Sequence, residues 1–352
     1  MRRVSARDWA RCGGAVSRPG RRAAGATAAA TGLLLVAGCQ LPGTSSSAEG
    51  PTGSGTVTIA APYEVADAPL FIGINDGLFR QAGLTVRVIS EPSVNAEVAA
   101  LRSGQADIAF GDYADMFYAQ QQQAKLNLNV VANGYDAAPN VMEVLALPGS
   151  HITSPAALKG KIIGTSQPQD LLLSKTKPYS LDTIATWSVL SSDNVFPTTI
   201  HWQPMQTSAL ITALQTGRVK AILATEPTIY QAESKLGAIP VLDSCTGATA
   251  NLPLAGYFSD ATYAKGHATN LAAFRAALLK AQSDGSMSAP LQNALTKYDH
   301  LNVQEASLVT LGTYPTSLQE PDLQRIANLM FTFGAQPTGA SGTLLVSSMI
   351  YH

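Results

Sequence analysis

Two patterns of apolar residues alternate along most of this chain. Short apolar runs bounded by polar, Gly or Pro residues predict strands, and longer stretches with an apolar residue at every third or fourth position predict helices. In the first half the predicted strands are Val57–Ala61, Thr85–Ile89, Asp107–Phe110 and Asn127–Val131, and the predicted helices are Ala68–Arg80, Val94–Ser103 and Asp112–Gln123. This alternation is typical of α/β proteins with largely parallel sheets.

The second half repeats this plan. Its predicted strands are Lys161–Thr165, Thr199–Trp202, Val219–Leu223 and Ile239–Leu242, and its predicted helices are Ser180–Ser191 with Ser180 as N-cap, Thr207–Thr216 and Glu226–Leu236. Two segments, Ala100–Gly104 and Ala213–Gly217, each predict a helix that ends at a glycine in the left-handed conformation and is followed at once by a buried strand. The repeated order predicts two similarly built lobes.

Beyond Leu242 the pattern changes to an extended segment, Leu252–Ser259, and to helices that include Asn270–Gln282 and Asp322–Phe333. We expect the chain to return here to the first lobe, with crossings near Val144–Leu147 and Ala255–Ser259 that act as a hinge. The predicted boundaries are residues 56–147 for the first part of lobe 1, 148–254 for lobe 2, and 255–352 for the return to lobe 1 and the C-terminal helices.

Residues 1–38 are typical of an export signal. Arginines dominate its start, and the apolar run that follows is shorter than the ~20 residues of a membrane-spanning helix. The run ends in Val36-Ala37-Gly38-Cys39, which is similar to a bacterial lipobox and predicts Cys39 as the lipid-bearing residue. Residues 39–55 then form a Ser/Gly/Pro-rich tether, so we expect a protein anchored by lipid to the outer face of the bacterial cell membrane. An ordinary secretory signal that happens to contain a cysteine is the alternative.

The basic residues of the predicted export signal offset a negative net charge in the rest of the chain. The 352-residue chain has 23 Lys+Arg and 24 Asp+Glu. Removing the seven arginines and one aspartate of residues 1–38 leaves 16 basic and 23 acidic side chains, a net charge of −7. A body this acidic lacks the electrostatic footprint of a nucleic-acid-binding protein.

The sequence carries none of the common signatures of catalysis. There is no Gly-x-Ser-x-Gly, no phosphate-binding loop ending in Lys-Ser/Thr and no His-Glu-x-x-His. The five histidines are scattered, and the three cysteines do not have metal-site spacing. We therefore predict no catalytic residues, no cofactor and no metal.

Several segments together resemble one family. They are Asp67–Phe79 followed by Ala82–Val86, Ala100–Ile108, Leu158–Gly164, Ala213–Ala221 and Thr225–Pro227. In order and spacing they are similar to the substrate-binding proteins of bacterial ABC importers, in the sulfonate/nitrate/taurine and thiamine-precursor group, and the likeness covers roughly residues 56–335. Two departures are Lys220, where an acidic residue is common, and the long irregular stretch Gln167–Tyr179.

The resemblance implies a two-lobed periplasmic-binding-protein type 2 fold. Each lobe would be a mixed, mostly parallel sheet flanked by helices, with the ligand cleft between the lobes. Such a protein works as a monomer that closes on a small solute and delivers it to the permease subunits in the membrane.

In open α/β sheets, ligands bind beyond the carboxyl ends of the strands and at helix N-termini. Applied to both lobes, this rule selects the following candidates for ligand binding: Tyr63, Glu64, Ser93, Asp112, Tyr113, Thr165, Ser166, Gln167, Gln206, Glu226 and Tyr257. Tyr63 and Tyr113 are the preferred aromatic platforms. Asp112 and Glu226 are equally suited to capping helices, and both roles are compatible.

The charge of these loops bears on the solute. They contain acids and no Lys or Arg, which favours a neutral or amine-bearing, heteroaromatic solute. An anion held by Ser93, Thr165, Ser166 and backbone N–H groups is the alternative.

Two other functions stay open. A surface sensor would bind a solute without transporting it. A thiamine-pyrimidine synthase-like enzyme would share the fold, but this chain lacks the Cys-rich segment of that enzyme.

Overall fold

A computed structural model describes residues 50–91, 93–123, 126–166, 180–286, 288–299, 301–337, 339–340 and 342–352. These residues belong to one compact unit that spans Ala48–His352. The predicted export signal, Cys39, most of the tether, Gln167 and the rest of the irregular stretch to Tyr179 lie outside the described residues.

Strands and helices alternate within the described residues, as the sequence predicts. The strands are β1 Thr56–Ala61, β2 Thr85–Ser90, β3 Ile108–Asp112, β4 Leu128–Asp136, β5 Met142–Ala146, β6 Ile162–Ser166, β7 His201–Met205, β8 Ala221–Thr225, β9 Ile239–Asp243 and β10 Pro253–Asp260. The α-helices are α1 Ala68–Asn75, α2 Leu78–Gln81, α3 Val94–Ser103, α4 Tyr113–Gln122, α5 Leu181–Ser192, α6 Thr207–Gln215, α7 Thr228–Leu236, α8 Ala261–Gly266, α9 Ala268–Gly285, α10 Ser288–Lys297, α11 Val303–Leu308 and α12 Glu320–Thr332. No helix in these ranges has the length and apolarity needed to cross a membrane.

The strands form two sheets of the same design. The first sheet has the order β2-β1-β3-β10-β4, and the second has the order β7-β6-β8-β5-β9. In the first sheet β1 runs parallel to β2 and β3, while β10 runs antiparallel to β3 and β4. In the second sheet β6 runs parallel to β7 and β8, while β5 runs antiparallel to β8 and β9. This confirms two similarly built lobes with mixed, largely parallel sheets.

The chain crosses between the lobes earlier than predicted. Because β4 belongs to the first sheet and β5 to the second, the first crossing lies between Asp136 and Met142. The predicted crossing at Val144–Leu147 is wrong, since Val144 is buried and pairs with Leu223 of β8. The return lies between Asp243 and Pro253, and the predicted Ala255–Ser259 is inside β10. A short apolar run has the same sequence pattern in a linker and in a buried strand. The strand pairing in the structure therefore decides where the chain crosses.

Glycines set several helix ends. Gly104 ends α3 with φ 72°, and Gly217, just past α6, also has φ 72°, as the sequence predicts. The predicted single helix Ala68–Arg80 is instead two helices, because Gly77 takes φ 69° between α1 and α2. Glycine reaches this left-handed region without the steric cost that a Cβ carries.

The last α-helix, α12, contacts both lobes. Helix α12 packs against α4 of the first lobe and α5 of the second. The Arg325 guanidinium donates hydrogen bonds of 2.8 Å to the carbonyl oxygens of Ala248 and Ala250, which lie in the second crossing. The apolar cluster here includes Leu323 and Ile326, both fully buried. The C-terminal helix therefore lies beside the second crossing.

Candidate functional site

A cavity of about 380 Å³ lies where the carboxyl ends of strands from both sheets meet. Strands β3, β6 and β8 end in residues that line it, and helices α4, α5, α6 and α7 begin at it. Its lining residues are Glu64, Val65, Ala66, Asp112, Asp115, Tyr135, Val141, Met142, Ser166, Ser180, Asp182, Thr207, Thr225, Glu226, Pro227, Thr228, Leu254 and Ala255. The location follows the general rule for open α/β sheets.

The first wall of the cavity is acidic at the start of α4. Asp112 is the N-cap of this helix, and its Oδ1 accepts a 3.1 Å hydrogen bond from the backbone N–H of Asp115. The Asp115 side chain, 4% exposed, lines the cavity one turn further on. Its Oδ1 has no hydrogen-bond partner among the described residues. A buried carboxylate oxygen without a donor is unusual in a folded protein.

The second wall is rich in hydroxyl groups. Ser180 is the N-cap of α5, as predicted, and its Oγ accepts a 3.4 Å hydrogen bond from the backbone N–H of Thr183. The other hydroxyl-bearing residues of this wall are Ser166, Thr207, Thr225 and Thr228. Asp182, in the first turn of α5, adds a carboxyl group. This wall offers both donors and acceptors to a solute.

Glu226 joins the second wall to the first lobe. Its Oε2 accepts a 3.0 Å hydrogen bond from the backbone N–H of Tyr230, and its Oε1 accepts one of 2.8 Å from Thr310. Thr310 lies in the C-terminal part of the chain, where Thr313 forms a bridge with Asp136 at the end of β4. The two oxygens of Glu226 therefore bond to different parts of the fold.

Burial raises the pKa values of the carboxyl groups that line the cavity. Desolvation, followed by the charge of Asp182, raises the pKa of Asp115 to about 7. Desolvation also raises the pKa of Asp182 to about 6 and holds the pKa of Asp112 well above its usual range. None of the described residues that line the cavity is Lys, Arg or His. The carboxyl groups thus face one another without a basic partner from these residues.

Four of the predicted site residues meet at the cavity: Glu64, Asp112, Ser166 and Glu226. Three others lie next to lining residues without lining it themselves. Tyr63 precedes Glu64 and stacks on Phe71, with ring centroids 5.0 Å apart. Thr165 is fully buried, and Gln206 precedes Thr207 with an exposed side chain.

The remaining described candidates do not line the cavity. Tyr113 is fully buried, and its hydroxyl donates a 3.0 Å hydrogen bond to Oδ1 of Asn133. Gly256 makes room for this ring, since a Cβ there would lie 2.5 Å from Tyr113 Cζ. Tyr257 is 1% exposed and packs against aromatic rings in the core. The expectation that Tyr113 and Tyr257 face the cleft is therefore wrong.

Ser93 also has a structural position. It is 8% exposed, and its Oγ accepts a 3.3 Å hydrogen bond from the backbone N–H of Ala96 as the N-cap of α3. It does not line the cavity. Capping an α-helix accounts for this contact.

Sequence reasoning missed several lining residues. Asp115 and Asp182 lie in the first turns of α4 and α5, and Tyr135 lies near the end of β4. The rule that ligands bind beyond the carboxyl ends of strands selects only the residues that directly follow a strand. Side chains in the first turn of the next helix also face the cavity. An acid within three residues of a predicted N-cap was the available signal for both aspartates.

The architecture and the cavity define the class of protein. Two lobes with the same sheet order, two crossings and a cavity between their strand ends make up the periplasmic-binding-protein fold. The chain belongs to the NMT1/THI5-like family, whose model matches residues 65–285. No match was found among the curated proteins.

Solved structures confirm the fold. The alkanesulfonate-binding protein SsuA from Xanthomonas axonopodis pv. citri, bound to MOPS, has a TM-score of 0.66 at 16% identity over 85% of this chain and 99% of that chain. The periplasmic nitrate-binding protein NrtA from Synechocystis PCC 6803 has a TM-score of 0.62 at 11% identity over 82% and 83%. The desulfurization enzyme DszB has a TM-score of 0.60 at 15% identity over 81% and 94%. The fold thus occurs in binding proteins and in an enzyme.

Proposed function

We propose that this protein is the extracytoplasmic solute-binding lipoprotein of an ABC importer, which captures a small organic solute and delivers it to a membrane permease. The observation that carries the proposal is the cavity of about 380 Å³ between the two lobes. Its volume is in the range of small-molecule sites, roughly 300–1,000 Å³. Both lobes contribute polar groups to it, so a bound solute would bridge them.

Capture would work by closure of the lobes. The crossings, residues 137–141 and 244–252, are short segments between strands of different sheets, as in hinge-type binding proteins. A solute that contacts Asp115 on one wall and Ser166 on the other binds the closed form better than the open one, which shifts the population toward closure. The hydrogen bond from Thr310 to Glu226 adds to the stability of the closed form.

Export and anchoring complete the proposal. The lipobox-like Val36–Cys39 supports diacylglyceryl modification of Cys39 and attachment to the outer face of the cell membrane. Replacing Cys39 with Ser should release the protein into the soluble fraction, as measured by fractionation and intact mass. Membrane retention of Cys39→Ser would contradict the lipid anchor.

A catalytic role has little support from the described residues. Cys245, in the second crossing, is 3% exposed. Desolvation, and then the charge of Asp243, raises the pKa of its thiol well above the usual range. A buried, protonated thiol is a poor nucleophile. Binding without chemistry therefore fits this chain better than the activity of the related fold in DszB.

Native mass spectrometry tests the function directly. Residues 41–352 are purified gently, and spectra are recorded before and after denaturation. We expect a small molecule that copurifies and is lost on unfolding, together with a smaller radius of gyration in solution when the solute is bound. An empty protein that neither compacts nor gains thermal stability with sulfonates, pyrimidines or amines would overturn the proposal.

A further inference from the structure

We infer that the solute carries a protonated, hydrogen-bond-donating nitrogen, as in a primary ammonium or amidinium group, on a small apolar body. The inference names the solute class of the cavity and rests on the proposed function. Five carboxyl groups line the cavity, those of Glu64, Asp112, Asp115, Asp182 and Glu226, and no described lining residue is basic. A cation is the solute that this wall attracts and an anion the one it repels.

Asp115 identifies where the cationic nitrogen binds. Its side chain is 4% exposed and lines the cavity, and its Oδ1 has no hydrogen-bond partner among the described residues. The N–H of Asp115 is directed to Asp112, so the first turn of α4 brings two carboxyl groups together. An N–H donor from a solute would satisfy the free oxygen and balance the charge in one contact.

Two of the four helix N-termini at the cavity, those of α4 and α7, already have anionic partners. Such termini bind anionic ligands through free N–H groups and the helix dipole. Here Asp112 accepts the N–H of Asp115 at α4, and Glu226 accepts the N–H of Tyr230 at α7. Because the chain supplies its own carboxylates at these positions, a sulfonate or nitrate would have to compete with them.

A metal ion and a quaternary ammonium group fit less well. No group of three or more Asp, Glu, His or Cys side chains within the described ranges is arranged to hold a metal ion. Quaternary ammonium groups are recognised by several aromatic faces, and Tyr135 is the one aromatic residue in the described lining. The remaining lining favours a hydrocarbon or heteroaromatic body, because Val65, Val141, Met142 and Leu254 form part of it.

The binding test uses probes that share a carbon frame and differ in charge. Benzylamine and benzamidine are compared with benzyl alcohol and benzenesulfonate, and butan-1-amine with butan-1-ol and butanesulfonate. Calorimetry and thermal shift on residues 41–352 report affinity. We expect the amines and the amidine to bind, the alcohols to bind at least tenfold more weakly, and the sulfonates not to bind.

Matched variants distinguish a loss of solute binding from a loss of folding stability. Asp112→Asn and Asp115→Asn should each weaken amine binding at least tenfold. Asp260→Asn is the control, since Asp260 caps α8 outside the cavity and accepts a 2.8 Å hydrogen bond from Thr262. Asparagine caps helices as well as aspartate does, so Asp260→Asn should leave both the melting temperature and the affinity unchanged.

The chain's own lysines are the competing source of positive charge. Lys175 and Lys177 lie in sequence between Ser166 and Ser180, which both line the cavity. If they neutralised the carboxyl groups, Lys175→Ala/Lys177→Ala would strengthen amine binding tenfold or more, and that result would overturn the inference. We expect amine affinity within threefold of the wild type.

The two proposals fail in different ways. Binding of a sulfonate or an alcohol in preference to the amine would overturn the cation inference and leave solute binding intact. If no probe of any class binds and native mass spectra show no copurifying molecule, both the solute-binding function and the cation inference would be overturned.

Discussion

The two lobes share a sheet but differ in the chemistry that they bring to the cavity. Their strand orders correspond position by position, including one antiparallel strand in each that the chain reaches by crossing over, β10 in the first sheet and β5 in the second. The first lobe presents the carboxyl groups of Glu64, Asp112 and Asp115 beside apolar side chains. The second presents mainly hydroxyl groups.

From this difference we expect specificity to reside in the side chains of the cavity walls. The shared topology places strand ends and first helical turns at one location, whatever the side chains are. Substitutions in those turns then change the charge of the wall without changing the sheet. The sulfonate-binding and nitrate-binding relatives share the fold at 16% and 11% identity, which leaves ample room for a different wall on the same frame.

The crossing strands provide the test with the largest expected effect. Gly256 in β10 is in close contact with the ring of Tyr113, so Gly256→Val should destabilise the protein by about 3 kcal/mol through overpacking. Thermal melts measure the loss, and hydrogen exchange should show weaker protection in the first sheet than in the second. Gly266→Ala is the control, because a Cβ at Gly266 meets nothing within 4 Å. Equal loss of protection in both sheets would contradict the expectation that the destabilisation is local to the first sheet.

The acidic wall gives a pH-dependent effect. Because the pKa of Asp115 is raised to about 7, the unfolded chain loses this proton from about pH 4 upward while the folded protein keeps it. The solute-free protein should therefore lose stability as the pH rises from about 4 to 7, and the contribution of Asp115 to this loss should level off above pH 7. Asp112, Asp182 and Glu97 contribute in the same direction, since their pKa values are also raised.

Asp115→Asn should reduce the fall in folding stability that accompanies rising pH. We expect the variant to be more stable than the wild type by a few kcal/mol at pH 8, because it has no carboxyl group whose proton is lost on unfolding at that pH. The two proteins should be equally stable near pH 4. Denaturant titrations across this range measure both, and parallel curves for the two proteins would show that Asp115 is not a buried acid of this kind.

Glu226 tests the connection between the lobes. An amide has one oxygen, so Glu226→Gln cannot accept the N–H groups of both Tyr230 and Thr310. We expect a loss of about 1 kcal/mol and a larger radius of gyration in solution without solute. Glu233→Gln, an exposed change on the same helix, is the control. An unchanged radius for Glu226→Gln would mean that this bond does not hold the lobes together.

The hydroxyl wall should show the smallest effect. Ser166→Ala removes one hydroxyl from the second wall, and we expect amine affinity to fall less than about threefold, near 0.5 kcal/mol. Isothermal titration calorimetry with an amine, carried out on Ser166→Ala and Asp112→Asn, compares the two losses of affinity. If Ser166→Ala weakened binding as much as Asp112→Asn, the carboxyl groups would not dominate recognition.

Much of the fold was predictable because local patterns and tertiary packing agree. Helix α3 has the predicted bounds, Val94–Ser103, with Ser93 as N-cap and Gly104 at its end. Ser180 caps α5 as expected. At such positions one residue type satisfies the backbone better than the others, so the sequence marks the boundary.

The site was only partly predictable, because neighbours in sequence can face opposite ways. Asp112 and Tyr113 are adjacent, yet Asp112 lines the cavity while Tyr113 fills the core space beside Gly256. Gly256 lies more than a hundred residues away in the sequence, and its pairing with Gly111 brings it there. A tyrosine at the start of a helix carries no local mark of this contact.

The sequence by itself determined the two-lobed α/β plan, the acidic body, the family and the strand ends at which a solute site would lie. Periodicity, caps and composition are local properties, and they suffice for those conclusions. Only the tertiary structure decided that β5 pairs in the second sheet and that Asp115 and Asp182 share one cavity. Strand pairing and desolvation depend on residues far apart in the chain, and no local pattern encodes which of them will meet.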